Sequence, residues 1–340
     1  MKLIVTGGAG FIGSAFVRML LSRAEAPSVT VFDKLTYAGN LENLEPVAGL
    51  PGFSFVRGDI ADADAVNQAV ASVQPDAIVH FAAESHVDRS IESPGAFFDT
   101  NLRGTFTLLE AARRHNVPRF VHVSTDEVYG SIEEPHDADE EYPLHTSSPY
   151  SASKAGSDLL VKSYFHTFRV PALITRASNN YGPYQFPEKL IPLMISNALE
   201  GKDLPIYGDG MQIRDWLYVD DHCRGIEAVL HKGREGEIYN IGGNCSLPNR
   251  EVVDRIIAQT GASRDQIKYV KDRPGHDRRY ALTTEKLMRE TGWEPRMDFD
   301  RGLAETVNWY RNNRTWIDRV RSGEYRRFYE QNYAGRGVVR

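Results

Sequence analysis

The sequence predicts an α/β fold in which a doubly wound parallel sheet is joined to a smaller mixed α/β domain. Short apolar runs alternate with stretches of helical periodicity through the first half of the chain. The first apolar run leads directly into a glycine-rich loop and then into a helical pattern. After Asn180, prolines at 183, 187, 192 and 205 interrupt the alternation. A second, less regular unit is therefore expected there.

The first unit consists of an apolar strand over Lys2–Thr6, a glycine loop and a helical pattern over Ser14–Arg23. In that context three glycines at spacings of three are typical of a Rossmann-type dinucleotide-binding turn. The first glycine permits the tight turn, the second lets backbone approach a pyrophosphate, and the third allows close helix packing. The first-turn N–H groups then face the anion. The cofactor contacts predicted in this unit are Gly7, Gly10, Phe11, Ile12 and Gly13.

An aspartate ends the second strand, which is predicted over Val29–Asp33. Asp33 can bond both ribose hydroxyls and repel a 2′-phosphate, which favours NAD over NADP. A capping or turn role for this aspartate remains an alternative. Lys34 follows directly and could tolerate a phosphate, but we prefer NAD as the cofactor.

The remaining strands of the first half follow the same pattern, with a long helix predicted over Ala96–His115. His80 and His122 lie inside apolar runs, and we interpret both as core histidines. The third to sixth strands are predicted over Phe53–Ile60, Ala77–Ala83, Phe120–Ser124 and Pro171–Ala177.

Residues at these strand ends are expected to contact the cofactor, because ligands of such sheets bind at the carboxyl ends. Asp59 and Ile60 end the third strand, and the acid is expected to hold the adenine edge. Ala82 and Ala83 are small enough to let the cofactor lie flat over the fourth strand.

A hydroxyl and two adjacent carboxylates, Thr125, Asp126 and Glu127, follow the fifth strand. Tyr150 and Lys154 come later, four residues apart and so on one face of a helix. Ser148 and Pro149 before them are typical of a helix N-cap and first turn.

Tyr150 is a candidate base, although a free tyrosine has a pKa of about 10. The Lys154 ammonium and a positive nicotinamide ring would each favour the phenolate and so lower the pKa of Tyr150. A surface tyrosine and lysine at helical spacing is the alternative interpretation.

Adjacent carboxylates on a strand point to opposite sides, so a turn must begin here if both are to reach one substrate. Gly130 nearby is compatible with such a turn. Two close carboxylates also raise the pKa of one of them, which would keep Asp126 protonated as an acid beside Glu127 as a base.

The glycine spacing, the Ser/Thr after the fifth strand and the Tyr150-x-x-x-Lys154 motif resemble the extended short-chain dehydrogenase/reductase family. Within it, the Thr125-Asp126-Glu127 triplet resembles the dTDP-glucose 4,6-dehydratases. The similarity covers nearly the whole chain and continues through residues 179–190, 212–216 and 273–277.

The resemblance implies oxidation of a sugar at C4 by NAD, removal of a C5 proton, loss of the C6 hydroxyl and return of the hydride to C6. It implies that Thr125 and Tyr150 handle the 4-hydroxyl and that Lys154 contacts the cofactor. It also implies cofactor contacts by Ser85, Thr100 and Asn180, and a homodimer built from the helices beginning near Ala96 and Ser148. The nucleotide-sugar residues implied are Ser85, Thr125, Asn179, Glu188, Lys189, Leu190, Pro205, Tyr207, Arg214, Asn249, Arg273 and His276.

Composition excludes several other classes of function. The chain has 340 residues and a formal net charge of −6, which disfavours general binding to nucleic acid or an acidic membrane. The basic stretch Lys271–Tyr280 is interpreted as a phosphate clamp. Its two cysteines have no metal-ligand spacing, so we expect no metal and a reducing, cytoplasmic setting. The apolar start is a strand and not an export signal.

We expect residues 1–178 to form the NAD-binding domain, including the helix that carries Tyr150 and Lys154. Residues 179–340 would mainly bind the nucleotide sugar, with some chain crossing back to the sheet. A helix over Arg301–Tyr310 is expected in this part, and no role is assigned beyond about Gly323.

Three alternatives remain at this point. A nucleotide-sugar 4-epimerase or decarboxylase of this fold would not need Asp126. A GDP-mannose-type or UDP-sugar dehydratase is closer, although Asp33 and the Arg273–His276 segment disfavour the former. A non-catalytic NAD-binding sensor should lack Tyr150 or Lys154, and both are present.

Overall fold

The computed structural model describes residues 1–321, so the stretch beginning near Gly323 lies outside the described residues. Strands and helices alternate as the apolar runs predict. The strands are β1 Lys2–Thr6, β2 Ser28–Asp33, β3 Phe53–Arg57, β4 Ala77–His80, β5 Phe120–Thr125, β6 Ala172–Ala177, β7 Asn179–Tyr181, β8 Leu204–Tyr207, β9 Ile213–Tyr218, β10 Ile238–Ile241, β11 Ser246–Pro248 and β12 Ile267–Val270. The α-helices are α1 Phe11–Leu21, α2 Ala63–Val73, α3 Val87–Glu92, α4 Gly95–Phe97, α5 Thr105–Arg114, α6 Pro149–Phe168, α7 Leu190–Leu199, α8 Val219–Lys232, α9 Asn249–Thr260, α10 Glu285–Thr291, α11 Phe299–Asn312 and α12 Arg314–Val320.

The main sheet is parallel throughout and has seven strands in the order β10-β6-β5-β4-β1-β2-β3. The order reverses on either side of β1, so the sheet is doubly wound and has a crevice between β1 and β4. Apolar side chains cover both faces, α1 and α8 on one and α2, α5 and α6 on the other. The predicted Rossmann-type fold is confirmed.

Two predicted strands extend too far. The third strand ends at Arg57 and the fourth at His80, not at Ile60 and Ala83. Beyond Arg57 the Asp59 carboxylate accepts a hydrogen bond from Ala61 N at 2.9 Å and turns the chain. The strand-end residues therefore lie in loops at the mouth of the crevice.

The predicted long helix is interrupted. A π-helical segment, Phe98–Gly104, separates α4 from α5. The Asn101 carbonyl inside it accepts hydrogen bonds from the hydroxyls of Thr105 and Ser157, each at 2.6 Å. These two side-chain hydroxyls supply the hydrogen bonds of this carbonyl, so it does not depend on the regular backbone hydrogen bond of an α-helix.

The second half of the chain forms two small sheets, β11-β9-β7 and β12-β8, around a core from α7, α9 and α11. Strand β10 returns to the main sheet and pairs with β6. The division between residues 178 and 179 stays a prediction. Between residues 1 and 321, no helix combines the length and apolar character that crossing a membrane requires.

His80 and His122 are fully buried in the main sheet, as predicted. The two ring nitrogens of His80 lie 2.8 Å from Thr6 Oγ1 and 3.0 Å from Thr105 Oγ1. Burial lowers the pKa of His122 to about 4, so this ring is neutral at physiological pH.

Candidate active site

One large cavity opens at the carboxyl ends of the sheet strands. Every residue that the sequence assigned to the cofactor lines it, although those residues come from four loops, two strands, two α-helices and the π-helical segment. They are Gly7, Gly10, Phe11, Ile12, Gly13, Asp33, Lys34, Asp59, Ile60, Ala82, Ala83, Ser85, Thr100, Tyr150, Lys154 and Asn180.

The glycine loop forms a cradle that side chains would fill. Gly7 has a φ of +69°, and a Cβ there would lie 2.5 Å from Ala82 N. A Cβ on Gly13 would lie 2.3 Å from the Gly7 carbonyl oxygen. Gly10 caps α1 without a side-chain hydrogen bond, so the first N–H groups of the helix remain open to an anion. These residues fit a dinucleotide pyrophosphate.

Asp33 lies at the end of β2 and is buried. Its carboxylate accepts hydrogen bonds from Ala9 N at 2.9 Å and Leu35 N at 2.8 Å. Burial raises the pKa of Asp33, whereas these two N–H groups oppose the shift. The backbone thus fixes the carboxylate where a ribose would lie. Each oxygen can still accept a second hydrogen bond.

The catalytic candidates lie where β5 ends. The turn that two adjacent carboxylates require begins at once, as a 3₁₀ helix over Asp126–Tyr129 that we call the catalytic turn. Thr125 caps it, because its hydroxyl accepts a hydrogen bond from Glu127 N at 3.2 Å. Both carboxylates line the cavity as a result.

Asp126 and Glu127 differ strongly in environment. Asp126 is buried and its Oδ2 has no hydrogen-bond partner among the described residues, whereas Glu127 is half-buried. Burial raises the pKa of Asp126 well above its usual range, and the charges of Glu127 and Asp215 raise it further. The shift favours the protonated form of Asp126, which is the form that can donate a proton. The sequence anticipated the effect of Glu127 but not that burial is the larger cause.

Helix α6 carries the phenol and the ammonium. Ser148 caps it through a reciprocal pair of hydrogen bonds with Ser151, and Pro149 occupies the first turn. The Tyr150 side chain interacts with Thr125, and the Lys154 ammonium donates to the Val123 carbonyl at 2.8 Å. Burial lowers the pKa of Lys154 to about 8, although Asp158 opposes the shift.

The prediction that Lys154 lowers the pKa of Tyr150 is wrong, because the protein's side chains together raise this pKa. Burial raises this pKa, the charges of Glu127 and Asp126 add to the increase, and only Thr125 opposes it substantially. The Lys154 ammonium is directed to a backbone carbonyl and does not offset burial. A phenolate at this position requires a further positive charge in the cavity.

The residues assigned to the nucleotide sugar divide into two groups. The first group lines the cavity beside the catalytic candidates and comprises Ser85, Thr125, Asn179, Glu188, Lys189 and Leu190. The second group does not line this cavity but lies in the second half of the chain and comprises Pro205, Tyr207, Arg214, Asn249, Arg273 and His276.

Two residues of the second group contact the buried carboxylate of Asp88. The Tyr207 hydroxyl donates to Asp88 at 2.8 Å, and Arg273 Nε lies 3.7 Å from the same carboxylate. Arg273 Nη1 and Asn249 Oδ1 are buried without a hydrogen-bond partner among residues 1–321. Unsatisfied buried polar atoms such as these leave hydrogen-bonding capacity for a polar ligand or for water.

Tyr280 connects the two groups. The Arg214 guanidinium lies 4.1 Å from the centre of its ring, and its hydroxyl lies 3.4 Å from Glu127 Oε2. The same hydroxyl donates to Asp277 at 2.7 Å. The second group is therefore adjacent to the catalytic turn.

Glu188 and Lys189 lie at the edge of the cavity. Burial raises the pKa of Glu188 to about 7, although Lys189 and Arg89 oppose the shift. Its carboxylate accepts a hydrogen bond from Tyr37 at 3.2 Å. The Lys189 ammonium donates to the Ser85 carbonyl at 2.7 Å, which joins the two halves of the chain.

Sequence reasoning missed several residues that line the cavity. Three of them directly follow β2, so their position after a strand end was a usable signal. Glu84 and Ser178 adjoin predicted site residues, which was also a usable signal, whereas the others carried no local signal. The missed polar and aromatic residues include Glu84, Ser178, Phe186, Trp216 and His222, and the three after β2 are Thr36, Ala38 and Gly39. Within the described residues, no three His, Cys, Asp or Glu side chains converge as a metal site.

Comparison with known proteins agrees with this geometry. The family model described as GDP-mannose 4,6 dehydratase matches residues 4–306. The dTDP-glucose 4,6-dehydratase of Shigella flexneri is 52% identical over 361 aligned positions, covering 99% of this chain and 100% of that protein. That of Streptomyces niveus is 54% identical over 328 positions, covering 95% and 96%.

Solved structures show the same relationship. The crystal structure of the dTDP-glucose 4,6-dehydratase DesIV from Streptomyces venezuelae, solved with NAD, has a TM-score of 0.92 and 53% identity, covering 94% of this chain and 100% of that one. The NAD complex of Thermus thermophilus UDP-glucose 4-epimerase has a TM-score of 0.86 at 33% identity, covering 92% and 100%. The glycine cradle and the fixed Asp33 of this chain fit the NAD that both of these structures contain. The chain belongs to the dTDP-glucose 4,6-dehydratases, NAD-dependent hydro-lyases of the short-chain dehydrogenase/reductase type.

Proposed function

We propose that the chain converts dTDP-glucose to dTDP-4-keto-6-deoxyglucose, a precursor of deoxysugars, through the residues described above. Bound NAD accepts the C4 hydride at the start and returns it to C6 at the end. Tyr150, whose side chain interacts with Thr125, removes the proton of the 4-hydroxyl. The positive charge that its phenolate requires is that of the nicotinamide ring.

The two carboxylates of the catalytic turn perform the elimination. A ketone at C4 acidifies the C5 hydrogen, which Glu127 removes as a base. Asp126 protonates the C6 hydroxyl as it leaves. Asp126 carries this proposal, because a buried acid that favours its protonated form, beside a base, is what elimination needs beyond simple C4 oxidation.

The second group of residues would bind the nucleotide diphosphate. Arg214, Arg273 and Lys189 supply the positive charge, and arginine adds a bidentate fork for phosphate. The unsatisfied Arg273 Nη1 and Asn249 Oδ1 support a polar ligand at this place. The ring of Tyr207 would stack on the base.

A homodimer through α5 and α6 completes the proposal. These helices and the π-helical segment expose Phe98, Phe106, Leu159 and Phe168, each between 43% and 58% accessible. The Tyr164 ring lies between two of them, 6.4 Å from Phe106 and 5.1 Å from Phe168. Several exposed large apolar side chains on the same pair of helices favour association. Both cysteines are free thiols, which supports a cytoplasmic location.

Mass spectrometry of the product from dTDP-glucose tests the reaction. We expect the loss of one water, transfer of a C4 deuterium to C6 and gain of one solvent proton at C5. A product of unchanged mass would contradict dehydration and indicate epimerisation. Comparing turnover of dTDP-glucose with that of GDP-mannose and UDP-glucose shows which nucleotide the protein prefers. A matched Asp126→Asn variant should form no dehydrated product.

A further inference from the structure

A buried polar network lies directly beneath the catalytic turn. It joins Tyr129, Arg176, Asp158 and Asn240, and we call it the Tyr129 network. Arg176 Nη1 donates to the Tyr129 hydroxyl at 2.9 Å, and that hydroxyl donates to Asn240 Oδ1 at 2.8 Å. Arg176 Nε donates to Asp158 Oδ2 at 2.9 Å. All four side chains are at most 2% accessible.

The Tyr129 network connects the two elements that carry the chemistry. Tyr129 is the last residue of the turn that begins with Asp126 and Glu127. Asp158 lies on α6, two turns beyond Tyr150 on the same helix. Arg176 lies on β6, where it pairs in register with Ser124. Arg176 thus links the catalytic turn, through Tyr129, to helix α6, through Asp158.

The charges in the Tyr129 network are compensated, so it can hold a fixed geometry inside the protein. Burial opposes ionisation of Asp158, but Arg176 and His122 hold the pKa of this carboxyl at about 2. Burial raises the pKa of Tyr129 to about 12, so its hydroxyl keeps its proton. The hydroxyl therefore accepts from Arg176 and donates to Asn240 at the same time.

The two halves of the reaction depend on this network unequally. Thr125 belongs to β5 and is held by the ladder between β5 and β6. Asp126 and Glu127 have left the sheet, and the far end of their short turn is fixed by the Tyr129 hydroxyl. Loss of that hydroxyl leaves Arg176 Nη1 with one hydrogen-bond partner among residues 1–321, the Glu140 carbonyl at 3.4 Å. The loss should therefore displace the catalytic turn more than it displaces β5.

We propose that the Tyr129 hydroxyl, held between Arg176 and Asn240, is a positioning group for the elimination step. It sets the two carboxylates of the catalytic turn relative to the sugar and leaves C4 oxidation to Thr125, Tyr150 and Lys154. The inference rests on the proposed function, because it assigns elimination to Asp126 and Glu127.

The Tyr129→Phe variant tests the inference in single-turnover experiments on the NAD-loaded protein with dTDP-glucose. Reduced-cofactor fluorescence reports C4 oxidation, and mass spectrometry reports the loss of water. We expect oxidation to stay within about threefold of the unmodified protein and elimination to slow by about tenfold or more, as for one lost buried hydrogen bond. Reduced cofactor should therefore accumulate during the turnover.

A merely structural role would slow both steps alike or neither, and either result would overturn the proposal. Tyr142→Phe is the matched control, because the Tyr142 ring lies edge-on to Tyr129 with centres 6.1 Å apart and lies outside the hydrogen-bonded network. This control should leave both steps unchanged.

Arg176→Lys keeps the positive charge but loses the fork that reaches both Tyr129 and Asp158. Arg176→Lys should also slow elimination selectively. If Tyr129→Phe does not fold, this variant tests whether the Tyr129 network positions the catalytic turn. Equal loss of both steps in Arg176→Lys would count against the proposal. An unmodified protein that forms no dehydrated product would instead refute the proposed function.

Discussion

The Lys34 ammonium lies 2.6 Å from the Asp59 carboxylate, so an acid of the next strand end neutralises the cation that follows Asp33. Asp33 itself keeps its carboxylate fixed by two backbone N–H groups. A 2′-phosphate would therefore meet the carboxylate of Asp33 without a free lysine to compensate it. This arrangement supports the predicted preference for NAD over NADP, because the lysine that could have tolerated a phosphate is already paired.

The cofactor preference should depend on Asp33 and not on Lys34. Asp33→Ser should weaken NAD binding by about tenfold and raise the relative affinity for NADP, because a charge-assisted pair with the ribose is lost. Lys34→Ala should leave the order of affinities unchanged. Equilibrium titration of cofactor-free protein with both dinucleotides measures this. An NADP affinity that falls sharply in Lys34→Ala would show that the lysine does serve the phosphate.

Glu127→Gln should separate oxidation from elimination. The amide cannot accept the C5 proton, whereas Thr125, Tyr150 and Lys154 are untouched. We expect C4 oxidation to continue and the dehydrated product to fall by about a hundredfold or more, as for loss of a general base. Mass spectrometry of the quenched reaction measures both species. Full dehydration by this variant would remove Glu127 from the base role.

C4 oxidation should fall as the pH rises through about 8. Burial lowers the pKa of Lys154 to about 8, so the ammonium is charged below this pH and neutral above it. The Lys154 ammonium does not offset the burial of Tyr150, but beside the positive nicotinamide ring it would add to the charge that favours the phenolate, so its loss on the alkaline side should slow proton removal. The Glu127→Gln variant isolates this step for measurement by reduced-cofactor fluorescence. A C4 oxidation rate that keeps rising well above pH 8 would show that the charge of Lys154 does not assist proton removal by Tyr150.

Local sequence patterns were sufficient for the cofactor half of the site. Glycine spacing and an acid at a strand end report backbone geometry within a few residues, and the residues they identify all line one cavity. The turn at Asp126 was also foreseeable, since two adjacent carboxylates cannot face the same way on a strand.

The rest depends on contacts between distant segments. Tyr129 and Asn240 are 111 residues apart, and Tyr207 and Asp88 are 119 apart, so no spacing in the sequence announces either pair. The predicted direction of the Tyr150 pKa shift was wrong for the same reason. Burial of the phenol by distant segments raises this pKa, and Lys154, its neighbour on the helix, does not offset the increase. Arg214 and Arg273 were found by family resemblance and not by local pattern.

The exposed face of α5 and α6 should control assembly. Leu159 on α6 is 58% accessible, and burying such a side chain stabilises an interface by about 1.5–3 kcal/mol. In a two-fold dimer each substitution acts from both subunits, so Leu159→Glu would place two carboxylates against apolar surface. We expect this variant to be monomeric by sedimentation at concentrations where the unmodified protein is dimeric.

Leu41→Glu provides the matched control, because Leu41 is 47% accessible but begins a 3₁₀ helix, Leu41–Leu44, between β2 and β3 and away from that face. It should not change the oligomeric state. A Leu159→Glu protein that still dimerises normally would place the interface elsewhere. Because α6 also carries Tyr150 and Lys154, a monomeric variant that keeps its C4 oxidation rate would show that dimerisation is not needed to order the catalytic helix.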